Sequence, residues 1–156
     1  MTFIKPTLAA AALAAFGLLG LCFTAAAQGA PQTRLPTVQI TAGMHLIRAE
    51  VAQTPSQQAT GMMFRTEMGA NEGMLFVNEE RGMRCFWMRN TLIPLTIAFI
   101  ADDGTIVNLA DMKPMTEDSH CSSKPVRFVL EMNQGWFGKK NLKAGSRLAG
   151  APFEGR

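Results

Sequence analysis

The chain has 156 residues, enough for one domain around one core, and no internal repeat is visible. Its formal charge of +3 falls to +2 once an N-terminal leader carrying Lys5 is removed. That excess is too small to suggest nucleic acid or an anionic surface as partner. Tyrosine is absent, which excludes phenol chemistry.

The leader is read from its three parts. Lys5 gives the positive start, Leu8 to Thr24 is an apolar run, and Ala25-Ala26-Ala27 offers small residues for cleavage. The expected arrangement is a signal peptide over 1–27, a flexible tether over 28–36, one domain over 37–150 and a short tail over 151–156. The Ala and Gly content of the apolar run makes it a weak membrane anchor. Leu21 before Cys22 is not the small residue that precedes a lipid-modified cysteine. The expected product is a periplasmic or secreted monomer without a transmembrane span.

Along the mature chain, Val38 and Ile40 alternate with polar neighbours as in a short strand. Ile47, Ala49 and Val51 do the same in a second strand ending near Ala52. Thr54-Pro55-Ser56-Gln57 then signals a helix start, with a threonine cap, proline at the first helical position and Gln57 completing a capping box. Ala59, Met62 and Met63 fall on one helical face, while Gly61 marks close packing or a tight turn. Gly73 to Val77 reads as a buried strand and Phe86 to Arg89 as another.

Leu95, Ile97 and Phe99 share one face of the next strand. Asp103-Gly104 turns the chain back into Thr105 to Leu109. From Val126 to Asn133, Val126, Phe128, Leu130 and Met132 form one face; Arg127, Val129, Glu131 and Asn133 form a mostly polar one. Ser146 to Ala149 closes the set, and Lys139-Lys140-x-x-Lys143 reads as a solvated loop. Short, regularly spaced strands with one short helix predict a mainly β domain, a sandwich or barrel.

Two cysteines, Cys85 and Cys121, remain after cleavage. Their even number in an exported chain predicts a disulfide spanning 36 positions. Free thiols and a soft-metal thiol pair are the rival readings. The lack of a Cys-x-x-Cys motif argues against a thioredoxin-like catalyst.

Five blocks in order resemble one family: Gly61-Met-Met-Phe-Arg65, Gly73-Met-Leu-Phe76, Phe86-Trp-Met-Arg-Asn-Thr-Leu-Ile-Pro-Leu95, Asp103-Gly-x-Ile-Val107 and Val129-Leu-Glu-x-x-x-Gly135. The chain resembles the domain of unknown function 192 family from about Val38 to Leu148. The resemblance implies a compact, sandwich-like β domain, commonly secreted in bacteria, and no catalytic residues. Two positions depart from the family pattern: Arg89 replaces an expected lysine, and Thr96 an expected acidic residue.

Candidate ligand-binding residues are Arg65, Trp87, Arg89, Asn90 and Glu131. Arg65 offers a guanidinium fork to a carboxylate, and a structural Arg65–Glu131 pair is the plainer expectation. Trp87 offers a flat apolar platform, with Arg89 and Asn90 as directional donors beside it. The competing view puts Phe86 and Trp87 in the core and Asn90 in the turn before Pro94. Met112-x-x-Met115, His120-Cys121 and Met83-x-Cys85 contain soft ligands for copper, though methionine in apolar strands is normally a gap filler.

No zinc spacing, serine elbow or phosphate loop is present, so no metal or cofactor is assigned. The sequence favours a binding domain for a small molecule or envelope component. An envelope-directed enzyme using Arg65, Asp103 and Glu131 is the alternative.

Overall fold

A computed structural model describes residues 29–153. The leader and cleavage site expected from the sequence lie outside the described residues. Chain order gives β1 (Thr37–Ala42), β2 (His45–Ala52), α1 (Pro55–Thr60), β3 (Glu72–Gly82), β4 (Cys85–Phe86), β5 (Leu95–Ile100), β6 (Ile106–Met112), β7 (His120–Cys121), β8 (Val126–Asn133), α2 (Trp136–Lys139) and β9 (Leu148–Ala149). Seven strands form one sheet in the order β6-β5-β8-β3-β2-β1-β9, and β4 pairs with β7 in a separate ribbon. The fold is mainly β, as predicted.

Every neighbouring pair in the main sheet is antiparallel except β2 and β3. Those two run parallel, and α1 is their crossover. The sheet curls until its edges meet. Thr105 bridges Arg147, Ile106 N–H donates to the Ser146 carbonyl at 2.8 Å, and Leu148 N–H donates to the Gly104 carbonyl at 2.9 Å. This near-closure removes most of the exposed edge that an open sheet would carry.

Two apolar clusters follow from the pleat. Ile40, Ile47, Leu75, Ala98, Ile100, Phe128, Leu130 and Leu148 fill the enclosed face, joined by Trp136 and Phe137 of α2. The opposite face carries Met74, Phe76, Leu95, Ile97, Phe99 and Val129. Met62, Met88 and Ile93 from the connecting segments cover it. Both faces of the central strands are therefore buried, as are all six residues of β5.

The capping box forms as read: Gln57 N–H donates to the Thr54 hydroxyl, and Thr54 N–H donates to Gln57 Oε1. The helix is shorter than the apolar spacing suggested. Gly61 takes φ +48° and ends it, so Met62 and Met63 lie in the turn that follows. The strand expected over Phe86 to Arg89 also shrinks. Only Cys85 and Phe86 pair with β7, and Asn90 leaves at φ +57°. A second short helix, α2, stands where no helix was expected. It follows Gly135 at φ +78° and buries Trp136 and Phe137.

Asp103-Gly104 forms the expected turn, with Thr105 N–H donating to Asp103 Oδ1 at 3.0 Å and Gly104 at φ +84°. A Cβ on Gly104 would stand 2.1 Å from the Leu148 carbonyl oxygen. The turn therefore also sets the seam between the sheet edges. Gly104→Ala is expected to cost about 3 kcal/mol, combining left-handed strain with displacement of the β9 backbone. Chemical denaturation measures it. A loss below about 1 kcal/mol would mean that the seam adapts freely.

Candidate functional site

A pocket of about 430 Å³ opens between α1, the start of β4 and the loop after it. Its apolar wall is built by Met62, Met63, Phe76, Phe86 and Trp87, and Glu131 reaches it from the sheet. Gly61 allows the close approach on one side. A Cβ there would meet the Phe76 ring at 3.4 Å. Phe76 and Phe86 pack edge to face at 4.8 Å between centroids and hold the β4 side of the wall.

Glu131 is the unusual member. It pairs across the ladder with Met74 on β3 and Ile97 on β5, both fully buried. The residue is 4 % exposed. Desolvation by burial pushes its carboxyl up to about 8, and no donor among the described residues hydrogen-bonds it. At neutral pH it is therefore mainly a neutral acid able to donate a hydrogen bond.

The expected Arg65–Glu131 pair does not form. Arg65 instead binds Glu50, with a further hydrogen bond of 3.0 Å to the Gln32 carbonyl. Glu50 lies opposite Met74, which lies opposite Glu131, so two strand spacings separate the two carboxylates, about 10 Å between backbones. Arg65 thus ties the segment before β1 and the turn after α1 to β2. Gln32 Nε2 adds bonds to the Gln57 and Gly61 carbonyls.

Trp87 stands at the pocket rim, 46 % exposed. The Arg89 guanidinium stacks 4.2 Å from its ring centroid, and both forks of Arg89 bind Glu117 at 2.9 and 3.0 Å. Glu117 raises the Arg89 pKa, and Arg89 lowers that of Glu117, each through the shared hydrogen bonds first. Arg89 therefore braces the indole. Asn90 has a scaffold position: its carbonyl accepts from Phe64 N–H at 2.8 Å and its amide faces Met63 Sδ at 3.9 Å. Of the five candidates, the structure brings Trp87 and Glu131 to one pocket, with Arg89 supporting the first.

Sequence reasoning missed Glu50, Glu117 and the pocket-lining Thr91. Glu50 and Glu117 become partners only through long-range pairing. The Gly61-Met-Met-Phe block was the available signal for the methionine wall. Thr96, the position departing from the family pattern, has a structural duty: its hydroxyl accepts from Gly135 N–H at 2.9 Å and bonds Asp111.

Asp103 lies in another cleft with Arg81 and Arg147, so it shares no pocket with Glu131. Cys85 and Cys121 form a disulfide, directly opposite each other in the β4–β7 ribbon, which removes both thiolates from any soft-metal set. Met112 is buried while Met115 is exposed, so that spacing presents no joint ligand pair. Among the described residues no group of three His, Cys, Asp or Glu side chains converges, and no helix is long and apolar enough to cross a membrane.

Comparison with known proteins agrees with the fold. A crystal structure of a proposed transcription regulator from Sinorhizobium meliloti 1021 is similar at 34 % identity and TM-score 0.74, covering 78 % of this chain and 98 % of that one. A crystal structure of a protein of unknown function from Novosphingobium aromaticivorans DSM 12444 is similar at 39 % identity and TM-score 0.68, covering 72 % and 83 %. No curated protein matches. The DUF192 family model, described as "Uncharacterized ACR, COG1430", matches residues 37–150, and the chain therefore belongs to that family.

Proposed function

We propose that the protein is an exported binding domain that holds a small ligand with apolar and polar parts in the Glu131–Trp87 pocket and carries out no covalent chemistry. The observation that supports this reading is a buried carboxyl, unpaired among the described residues, facing a pocket whose methionine and aromatic wall is interrupted by Gln58, Thr60, Asn78, Arg84 and Thr91. A carboxyl without a partner costs stability, and a ligand carbonyl or hydroxyl that accepts its proton offsets that cost. The leader sequence and the disulfide support export. The net charge of the mature chain does not favour the DNA-related role suggested by the description of the Sinorhizobium protein.

Native mass spectrometry of protein exported by its own leader is the first test. A co-purifying small molecule is expected, and Trp87→Ala should lower its affinity at least tenfold while leaving the melting temperature within a few degrees, as suits a rim residue. If Trp87→Ala binds as the parent does, the pocket is not the site. A second reading treats neutral Glu131 as a general acid towards an envelope carbohydrate or peptide. It requires turnover that disappears in a folded Glu131→Gln protein.

A further inference from the structure

A second cleft, of about 670 Å³, lies across the molecule's seam and is lined by Arg81, Asp102, Asp103, Arg127, Arg147 and Phe153, among others. Its arginines are fixed unequally. Arg81 is committed to Asp102, with Nε at 2.9 Å and a terminal nitrogen at 2.7 Å from the same carboxylate oxygen. Among the described residues Arg127 donates only through Nε, to the Asn78 carbonyl at 3.2 Å, and its guanidinium rests 5.0 Å from the Phe128 ring centroid. Within the same described residues Arg147 likewise donates only through Nε, to the Asp103 carbonyl at 2.8 Å. Anchoring a guanidinium by Nε to backbone leaves its two terminal nitrogens as a directed fork.

Two such forks therefore border the cleft, from β8 and from the segment entering β9, without partners among the described residues. Asp103 draws on Arg147, whose charge helps to lower the Asp103 pKa after the Thr105 hydrogen bonds, but no carboxylate among the described residues hydrogen-bonds either fork. Asp103 Oδ1 accepts from Thr105 N–H, and Asp102 Oδ2 is held by Arg81. The other Asp102 oxygen, Oδ1, is buried without a hydrogen-bond partner. A single carboxylate is satisfied by one fork, whereas a tetrahedral dianion accepts from two at once. The Asp102 side chain is 31 % exposed, and a small rotation that turns Oδ1 from its covered position towards the cleft lets it accept from a hydroxyl on the same molecule.

We propose that this cleft binds a phosphate monoester of a polyol, with Arg127 and Arg147 holding the phosphate and Asp102 Oδ1 accepting from a hydroxyl. This site is separate from the Glu131 pocket and stands or falls without it. The same head group occurs free in solution and on phosphatidic acid, so the test carries both.

Calorimetric titration with glycerol 3-phosphate, at constant ionic strength set by chloride, is expected to show binding tighter than that of inorganic phosphate. Arg127→Lys keeps the charge but loses the fork, and Arg147→Gln loses both; each should weaken binding about tenfold or more. Lys139→Gln, on α2, should change it less than twofold. Asp102→Ala should remove the preference for glycerol 3-phosphate over inorganic phosphate. Co-sedimentation with phosphatidic acid vesicles, against phosphatidylcholine vesicles, distinguishes the sources. Sedimentation lost in Arg127→Lys assigns a lipid head group, and binding of glycerol 3-phosphate alone assigns a soluble ester. No binding in either arm, or equal binding by folded Arg127→Lys and Arg147→Gln proteins, overturns the proposal.

Discussion

Replacing Glu131 by glutamine is expected to remove a steep loss of stability between about pH 4.5 and pH 8. The carboxyl titrates near 4.5 when the chain is unfolded and near 8 when it is buried. Below that window both states hold the proton and burial costs little. Within it the unfolded chain releases the proton and the native state retains it, so the native state binds more protons and stability falls as pH rises. Above pH 8 both states are ionised and the full cost is present. The shift corresponds to roughly 5 kcal/mol, a ceiling because solvent reaching through the pocket softens the penalty.

Denaturant titrations at pH 5, 7 and 9 should therefore show the parent losing several kcal/mol relative to Glu131→Gln. Parallel curves for the two proteins would mean that the carboxyl is solvated or paired. The acidic groups with lowered pKa, Asp103 and Glu117, act in the opposite direction at low pH and cancel in the comparison. Binding follows the same linkage. A ligand that accepts the Glu131 proton should weaken about tenfold per pH unit above 8.

The local signals were legible because they act over a few residues. Thr54 and Gln57 cap α1, Asp103-Gly104 turns β5 into β6, and alternation sorted Phe128 and Leu130 from Arg127. The same alternation put Glu131 on the polar face of its strand. It could not reveal that Met62, Met88 and Ile93, from segments 38 to 69 positions earlier, would cover that face and isolate the carboxyl. Arg65 was marked as a fork for a carboxylate, a ligand's or that of Glu131, whereas its partner Glu50 is set by the parallel pairing of β2 with β3. Alternation reports strand faces, not which strands become neighbours. The seam from Gly104 to Leu148 was hidden for the same reason.

Loss of the disulfide is the second large effect expected. Among the described residues, Cys85 and Cys121 join the only two strands outside the main sheet, each two residues long. A ribbon so short has little stability of its own. Closing a loop over a separation of 36 residues restrains the unfolded chain by about 4 kcal/mol in the chain-entropy treatment. Against the typical 5–15 kcal/mol of a whole domain, a Cys85→Ser/Cys121→Ser protein should keep its sheet while its melting temperature falls by roughly 15 °C.

The loss should also be uneven. The ribbon anchors the wall that carries Phe86 and leads into Trp87, whereas the seam and the arginine cleft rest on the main sheet. Hydrogen exchange should therefore quicken in residues 83–94 and 113–123 well before β3, β5 and β8, and ligand affinity at the Glu131 pocket should fall while glycerol 3-phosphate binding persists. Uniform exchange across the domain, with both affinities lost together, would make the disulfide a global staple and leave the pocket wall without a separate support.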